Sequence, residues 1–168
     1  MNSRSHNNCS SCCELHTSIL KCGCPGSVTL QAPSVAGVAP TPIIVSSVTI
    51  DTSCLCEPDV KLEFASNIIL PLTVTAATFT FQIFKLCSNQ LQRIPVGAQW
   101  SFSRLVAVGS SDTFSFFVCD EAICNNECCT YTVEVTPISL VGTGTVLITN
   151  AAISALAVGE PAFDEDPV

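Results

Sequence analysis

Cysteine is the side chain through which this sequence can do chemistry. The chain of 168 residues holds twelve, at Cys9, Cys12, Cys13, Cys22, Cys24, Cys54, Cys56, Cys87, Cys119, Cys124, Cys128 and Cys129. Five of them fall between Cys9 and Cys24, and four between Cys119 and Cys129. Thiols at this density bind metal, cross-link as disulfides, or lie buried as small apolar groups. A structural zinc site is expected to show two C-x2-C knuckles or a suitably spaced histidine pair. Cys9-Ser-Ser-Cys12 is one such knuckle, whereas Cys22-Gly-Cys24 and Cys54-Leu-Cys56 are C-x-C. A Cys-rich zinc-binding protein is therefore the first competing reading. Buried thiols suit Cys87 better than the N-terminal cysteines, whose surroundings are too polar to form a core.

The adjacent pairs Cys12-Cys13 and Cys128-Cys129 carry more information. Neighbouring Cα atoms sit about 3.8 Å apart, closer than the roughly 4.4–6.8 Å of a relaxed disulfide. Each member of a pair therefore seeks its own partner. On a strand, adjacent side chains point to opposite faces. Cys129 shares parity with Tyr131, Val133 and Val135 and is expected inward, while Cys128 shares parity with Thr130, Thr132 and Glu134 and is expected outward. An arm with paired thiols and a strand with an outward thiol make a plug and a socket, within one subunit or between two. The run CDEAICNNECC at 119–129 reads as a disulfide-stapled hairpin loop, with a metal-binding loop as its alternative.

Other reactive groups are sparse. Triad chemistry needs a base held on a rigid scaffold beside a nucleophile, and the histidines, His6 and His16, both fall in the polar N-terminal stretch. There is no G-x-S-x-G, Gly-rich phosphate loop or H-E-x-x-H. Asp51, Glu57, Asp59, Glu63 and Asp112 could supply a carboxylate pair, but no spacing singles one out. We therefore expect no enzyme and no cofactor. Six basic against fourteen acidic residues give a net charge of −8, and Arg4, Lys21, Lys61, Lys85, Arg93 and Arg104 are scattered singly. Both facts argue against a nucleic-acid partner. No apolar run approaches the length of a membrane span. The start, MNSRSHNNCSSCC, has no apolar core of a secretory signal.

The elements that must position the thiols follow from the pattern. Hydrophobic residues make up 48% of the chain and charged residues 12%. Charge is thus well below the usual share, and the chain has a core to bury. Residues 1–26, rich in Asn, Ser and Cys and ending at Cys24-Pro25-Gly26, read as an arm outside the main domain. Residues 27–158 read as the domain, with strands near 27–32, 43–51, 60–64, 67–75, 78–87, 98–108, 112–119, 128–137 and 143–149, and a further one at 151–158 favoured over a helix. Residues 159–168, with Glu160, Asp164, Glu165 and Asp166, read as an acidic solvated tail. Period-two alternation is clearest for Phe79, Phe81 and Ile83, for Phe114, Phe116 and Val118, and for Tyr131, Val133 and Val135. The fold expected is all-β: an antiparallel β-sandwich or jelly roll with an extended Cys-rich N-terminal arm.

The runs SVTIDTSCLCEPDVKLEFASNIIL, FTFQIFKLCSNQLQRIPVGAQWSFSR and SDTFSFFVCDEAICNNECCTYTVEVTP resemble a clostridial family of small Cys-rich proteins of unknown function, over roughly 45–137. More distantly, the chain resembles the endospore appendage (Ena) subunits of bacilli. Those have a jelly-roll core, a Cys-Cys pair in an N-terminal connector, a further Cys about ten residues on, and a Cys near the start of a late strand. Cys12-Cys13, Cys24, and Cys128 or Cys129 before Thr130-Tyr131-Thr132 match that pattern. Ser10 and Ser11 replace the apolar residue that precedes the pair in that family, and the chain is longer after Pro137. The resemblance implies a homopolymeric spore-surface fibre or layer, cross-linked through connectors that reach into neighbouring copies, with other spore-surface proteins as further partners. It also implies synthesis in the mother-cell cytoplasm without a signal peptide and oxidation once that cell lyses. On this reading Cys9, Cys12, Cys13, Cys22, Cys24 and Cys128 are intersubunit candidates. Cys54, Cys56, Cys87, Cys119, Cys124 and Cys129 are candidates for intrasubunit bonds or core positions. A β-sandwich adhesion module is the other alternative.

Overall fold

The computed structural model describes residues 17–31, 40–105, 109–121 and 128–161. Among the described residues nine strands form two antiparallel sheets: β1 Ser18–Cys22, β2 Gly26–Leu30, β3 Ile43–Asp51, β4 Leu55–Leu70, β5 Val74–Cys87, β6 Ile94–Leu105, β7 Ser110–Glu121, β8 Cys128–Gly142 and β9 Val146–Pro161. The first sheet runs β1-β9-β4-β7, with β2 also pairing β9, and the second runs β3-β8-β5-β6. The pairings β5–β6, β4–β7, β3–β8 and β2–β9 nest one inside the next. That is one long hairpin rolled over itself, the topology of a jelly roll.

Alternation fills the space between the sheets. Val60, Leu62, Phe64, Ile68 and Leu70 of β4 face Phe79, Phe81 and Ile83 of β5 and Tyr131, Val133 and Val135 of β8 across one continuous core. Phe64, Phe81 and Phe116 form its aromatic centre, with ring centroids 5.2–6.2 Å apart. Tilted ring contacts at this spacing add to the burial. Trp100 caps the open side between β6 and β7 by stacking on Phe116 at 5.3 Å. On the outer face of the second sheet Glu134 is buried beneath Arg93, whose guanidinium lies over Phe84. A buried carboxylate needs such a partner.

Four sequence boundaries are corrected by the structure. Two strands were expected at 60–64 and 67–75, but 60–70 lie in one, β4, which ends at Leu70; Pro71 O accepts from Val74 N in the turn, and Val74 and Thr75 open β5. The apparent break arises because Ser66 occupies an inward position in an otherwise apolar series. Likewise 143–149 and 151–158 are one strand, β9, in which Asn150 at φ 52° forms a bulge. Finally, the arm expected over 1–26 is not all outside the domain. Ser18–Cys22 pairs with Val158–Ser154, because Ile19 packs against the core at this edge. At the other end the sandwich continues to Pro161, past the expected limit of 158.

Candidate functional site

The cysteines divide by what the fold does with them. Cys87 and Cys129 are direct partners in the β5–β8 register and form a disulfide inside the core. Cys54, buried just after β3, and Cys128, at the first residue of β8, are also disulfide-bonded. Cys22, Cys24 and Cys119 are free, exposed thiols. Cys56 contributes its backbone to β4. Cys9, Cys12, Cys13 and Cys124, with His6 and His16, lie outside the described residues, as does the zinc knuckle they were weighed for.

Two sequence expectations change here. Cys119 was expected in an intrasubunit bond or the core. Its parity with Phe117, against Phe116 and Val118 inward, turns it outward instead. Alternation within 112–119 was sufficient to show this. Cys128 was expected as an outward socket. It is half-buried, as its parity requires, but its sulfur already belongs to a disulfide, so it offers no thiol. Alternation fixes the face a side chain points to, not what else lies on that face. The stretch 119–129 is also not a hairpin: it carries the chain from β7 in one sheet to β8 in the other.

The disulfide end of the core has a polar lid. Lys85, Asp120 and Tyr131 all point inward from three strands, and both Lys85 Nζ and Tyr131 Oη donate to Asp120 Oδ2 at 2.7 Å. Burial, with Asp120 beside it, pushes the Tyr131 phenol well above its usual range, because both disfavour the charged phenolate. This cluster ties the two sheets together. Among the described residues no group of three or more His, Cys, Asp or Glu is placed to hold a metal ion.

Two of the free thiols, Cys22 and Cys119, share one surface. Across the outer face of the first sheet the register sets Cys22, Ser154, Glu63 and Phe117 in one row. The next row is Leu20, Leu156, Lys61 and Cys119. Cys22 and Cys119 thus stand at opposite edges of the same face. On the side of Cys22's row away from Cys119, Ala65, Ser115 and Ala152, with Ser154, form a low floor, walled by Cys22 and Phe117, in a groove of ≈ 530 Å³. Small side chains on adjacent strands let another backbone approach the sheet closely. Leu20, Leu156, Val158 and Phe117 leave 37–64% of their surface exposed on this face. An antiparallel sheet normally presents its polar side to water, so this cluster is unusual for a solvated face. Glu63 raises the Lys61 ammonium pKa by hydrogen bond and charge, and Lys61 Nζ lies 5.4 Å from the Phe117 ring centre.

The Cys22-Gly23-Cys24 spacing has a local cause. Gly23 N donates to Ile153 O, and the chain there runs so close to β3 that a Cβ on Gly23 would stand 2.1 Å from Ser47 O. Only glycine fits. Neighbours along an extended chain point away from the side their middle residue presses against, and Cys22 and Cys24 are accordingly exposed.

A family model described as "Domain of unknown function (DUF4489)" matches residues 16–158. No curated protein matches the chain. Solved structures with a similar fold include a non-crystalline cellulose specific carbohydrate-binding module, CBM28, at 11% identity over 74% of this chain and 72% of that one, TM-score 0.43. Eiger TNF from S. frugiperda is similar at 13% identity over 91% of this chain and 99% of that one, TM-score 0.46. A third is infectious bursal disease virus, Gx strain, at 10% identity over 96% of this chain and 42% of that one, TM-score 0.46. None of the three carries an argument about what this chain does.

Proposed function

The chain belongs to the DUF4489 family, whose description assigns no activity, and we propose that it serves as a structural subunit that assembles with copies of itself into a disulfide-cross-linked fibre or layer at a spore surface. The observation that supports this is the division of the cysteines. Cys54, Cys87, Cys128 and Cys129 are taken up in disulfides, yet Cys22, Cys24 and Cys119 remain exposed as thiols on the same domain. Exposed thiols in an oxidising setting form bonds with other chains unless something prevents it. The donors are the cysteines that precede β1: Cys9, Cys12 and Cys13. The role is one of cross-linking, with no catalysis and no cofactor.

The test is electrophoretic. After oxidation the full-length protein should run as a high-mass ladder or fail to enter the gel, and with strong reductant collapse to a band near 17.7 kDa. Removing residues 1–16 leaves β1 in place, so the sandwich should stay folded while the ladder is lost. Electron microscopy of the oxidised protein then distinguishes fibre from layer. A full-length protein that remains monomeric when folded and oxidised would end this reading.

A further inference from the structure

Cys22 and Cys24 are two thiols one residue apart, and the fold holds the backbone between them. Gly23 N donates to Ile153 O at 2.8 Å, and a Cβ on Gly23 would stand 2.1 Å from Ser47 O. Pro25 follows Cys24 and keeps it extended, because the residue before a proline is disfavoured in the helical region. Gly23 faces β3, so both cysteines project to the opposite side, where both are exposed free thiols. Two extended residues advance the chain by at most about 6.8 Å. That is the long end of the roughly 4.4–6.8 Å over which a relaxed disulfide closes. The pairing with β9 brings the two nearer than full extension. Four steps, Cys22 to Gly26, run beside three, Ser154 to Ala151.

We propose that Cys22-Gly23-Cys24 is a thiol–disulfide exchange site: the pair closes into one disulfide, and that bond is then transferred to an incoming cysteine thiol. The inference rests on the assembly reading above and adds the route by which its cross-links form. A Cys22–Cys24 bond is open to solvent and lies towards the long end of the relaxed range, and exposed bonds of this kind are the labile, exchanging ones. The Cys87–Cys129 bond is of the opposite kind, buried in the core away from any incoming thiol.

Closure removes two protons and two electrons, taken by an oxidant such as dioxygen, and forms one S–S bond. Transfer needs no further oxidant. The incoming thiolate attacks one sulfur of the pair and bonds to it; the Cys22–Cys24 bond breaks, and the other sulfur leaves as thiolate. That thiolate remains two residues from the new bond and can displace the incoming chain again. Cross-links made here are therefore reversible until a second thiol takes up the freed one. The chemistry is the same for a thiol from the chain's own residues before β1 and for one from another copy.

The full-length protein carrying Cys9→Ser, Cys12→Ser and Cys13→Ser isolates the pair. It should be oxidised at high dilution and cut after Asp and Glu without reductant. We expect residues 15–51, whose cysteines are Cys22 and Cys24, as a single peptide two hydrogens lighter than its reduced form and closed to alkylation. The oxidised, undigested protein is then mixed without oxygen with a reduced synthetic peptide of residues 1–14 in which Cys12 is the one cysteine kept. The peptide should join 15–51 and free one thiol there for each bond formed. Adding Cys22→Ser or Cys24→Ser prevents closure and should leave less than about a tenth of the adduct until oxygen is admitted. In the parent protein, oxidised as a mixture of ¹⁴N and ¹⁵N chains, mixed-isotope pairs of 1–14 with 15–51 assign the incoming thiol to another copy and unmixed pairs to the chain's own; both support the site. Recovery of 15–51 only with open thiols or as linked dimers, or a closed pair that does not react with the peptide, overturns the exchange site. A parent protein that still forms the ladder then keeps the assembly reading and loses this route to it, whereas absence of any ladder overturns the assembly reading itself.

Discussion

Cys87 on β5 and Cys129 on β8 sit directly opposite each other and are joined by a disulfide, their Cα atoms 4.0 Å apart and 42 residues apart in sequence. Both are buried at the end of the core that Lys85, Asp120 and Tyr131 close. Closing a loop of that length restricts the unfolded chain by an amount worth about 4 kcal/mol in the chain-entropy account. Cys87→Ala combined with Cys129→Ala should lower the free energy of unfolding by about 2–4 kcal/mol. Chemical denaturation without reductant measures it. Equal stability of the two proteins would mean that the bond does not hold the core.

Tyr131 gives the fold a pH limit. Its phenol is buried and donates to Asp120, so it holds its proton in the folded state to a higher pH than in the unfolded chain. The usual value for a free phenol is about 10. Stability from a group raised in this way is complete below the unfolded value and declines as pH rises past it. The urea midpoint should therefore fall between about pH 10 and 11.5. Tyr131→Phe should be less stable at neutral pH by about 1–3 kcal/mol, the value of a buried hydrogen bond to a charged partner. Its profile above about pH 10 should be flatter. Parallel profiles for the two proteins would remove Tyr131 as the cause.

Ser66 breaks the apolar series of β4. It is 2% exposed, and its Oγ has no hydrogen-bond partner among the described residues. A hydroxyl left unsatisfied in a core costs about 1–3 kcal/mol. Ser66→Ala removes it with little change in volume and should raise stability by about 1 kcal/mol, measured by thermal or chemical unfolding. A loss of stability would mean that the hydroxyl has a partner, such as a buried water.

How far the sequence could be read depended on whether alternation ran unbroken. Where it did, at Phe79-Phe81-Ile83 and Tyr131-Val133-Val135, strand, face and core residues were all legible, and the β-sandwich followed from them. Two devices hid the strand lengths. Ser66 put a polar residue where the pattern requires an apolar one, and Asn150 shifted the phase of β9. The exposed thiol of Cys119 was legible from its parity with Phe117, but its membership of a Cys-rich loop suggested a staple. The groove was not legible. It depends on Cys22, Glu63, Ser115 and Ser154 meeting on one face, and only the β1-β9-β4-β7 order brings those distant segments together.

Asn150 can be tested on its own. Before it, the inward residues of β9 are Val146 and Ile148; after it they are Ala151, Ile153, Ala155 and Ala157. The even positions give way to the odd ones at this residue. Both neighbouring strands register the extra residue: Ala65 and Asn67 pair Ala152 and Thr149, and Gly26 and Val28 pair Ala151 and Ile148. Asn150 therefore serves two pairings at once, at φ 52°. That is the left-handed region, which Asn and Gly tolerate better than other residues. Its side chain is exposed, so substitution changes the backbone cost with little effect on packing. Asn150→Gly should be within about 0.5 kcal/mol of the parent, Asn150→Ala about 1 kcal/mol less stable, and Asn150→Val about 2 kcal/mol less stable. Deleting the residue is harsher, because every inward side chain on one side of it would turn to the opposite face. That protein should not fold. Unfolding curves for the three substitutions give the ranking, and three equal midpoints would show that β9 takes up its extra residue somewhere other than Asn150.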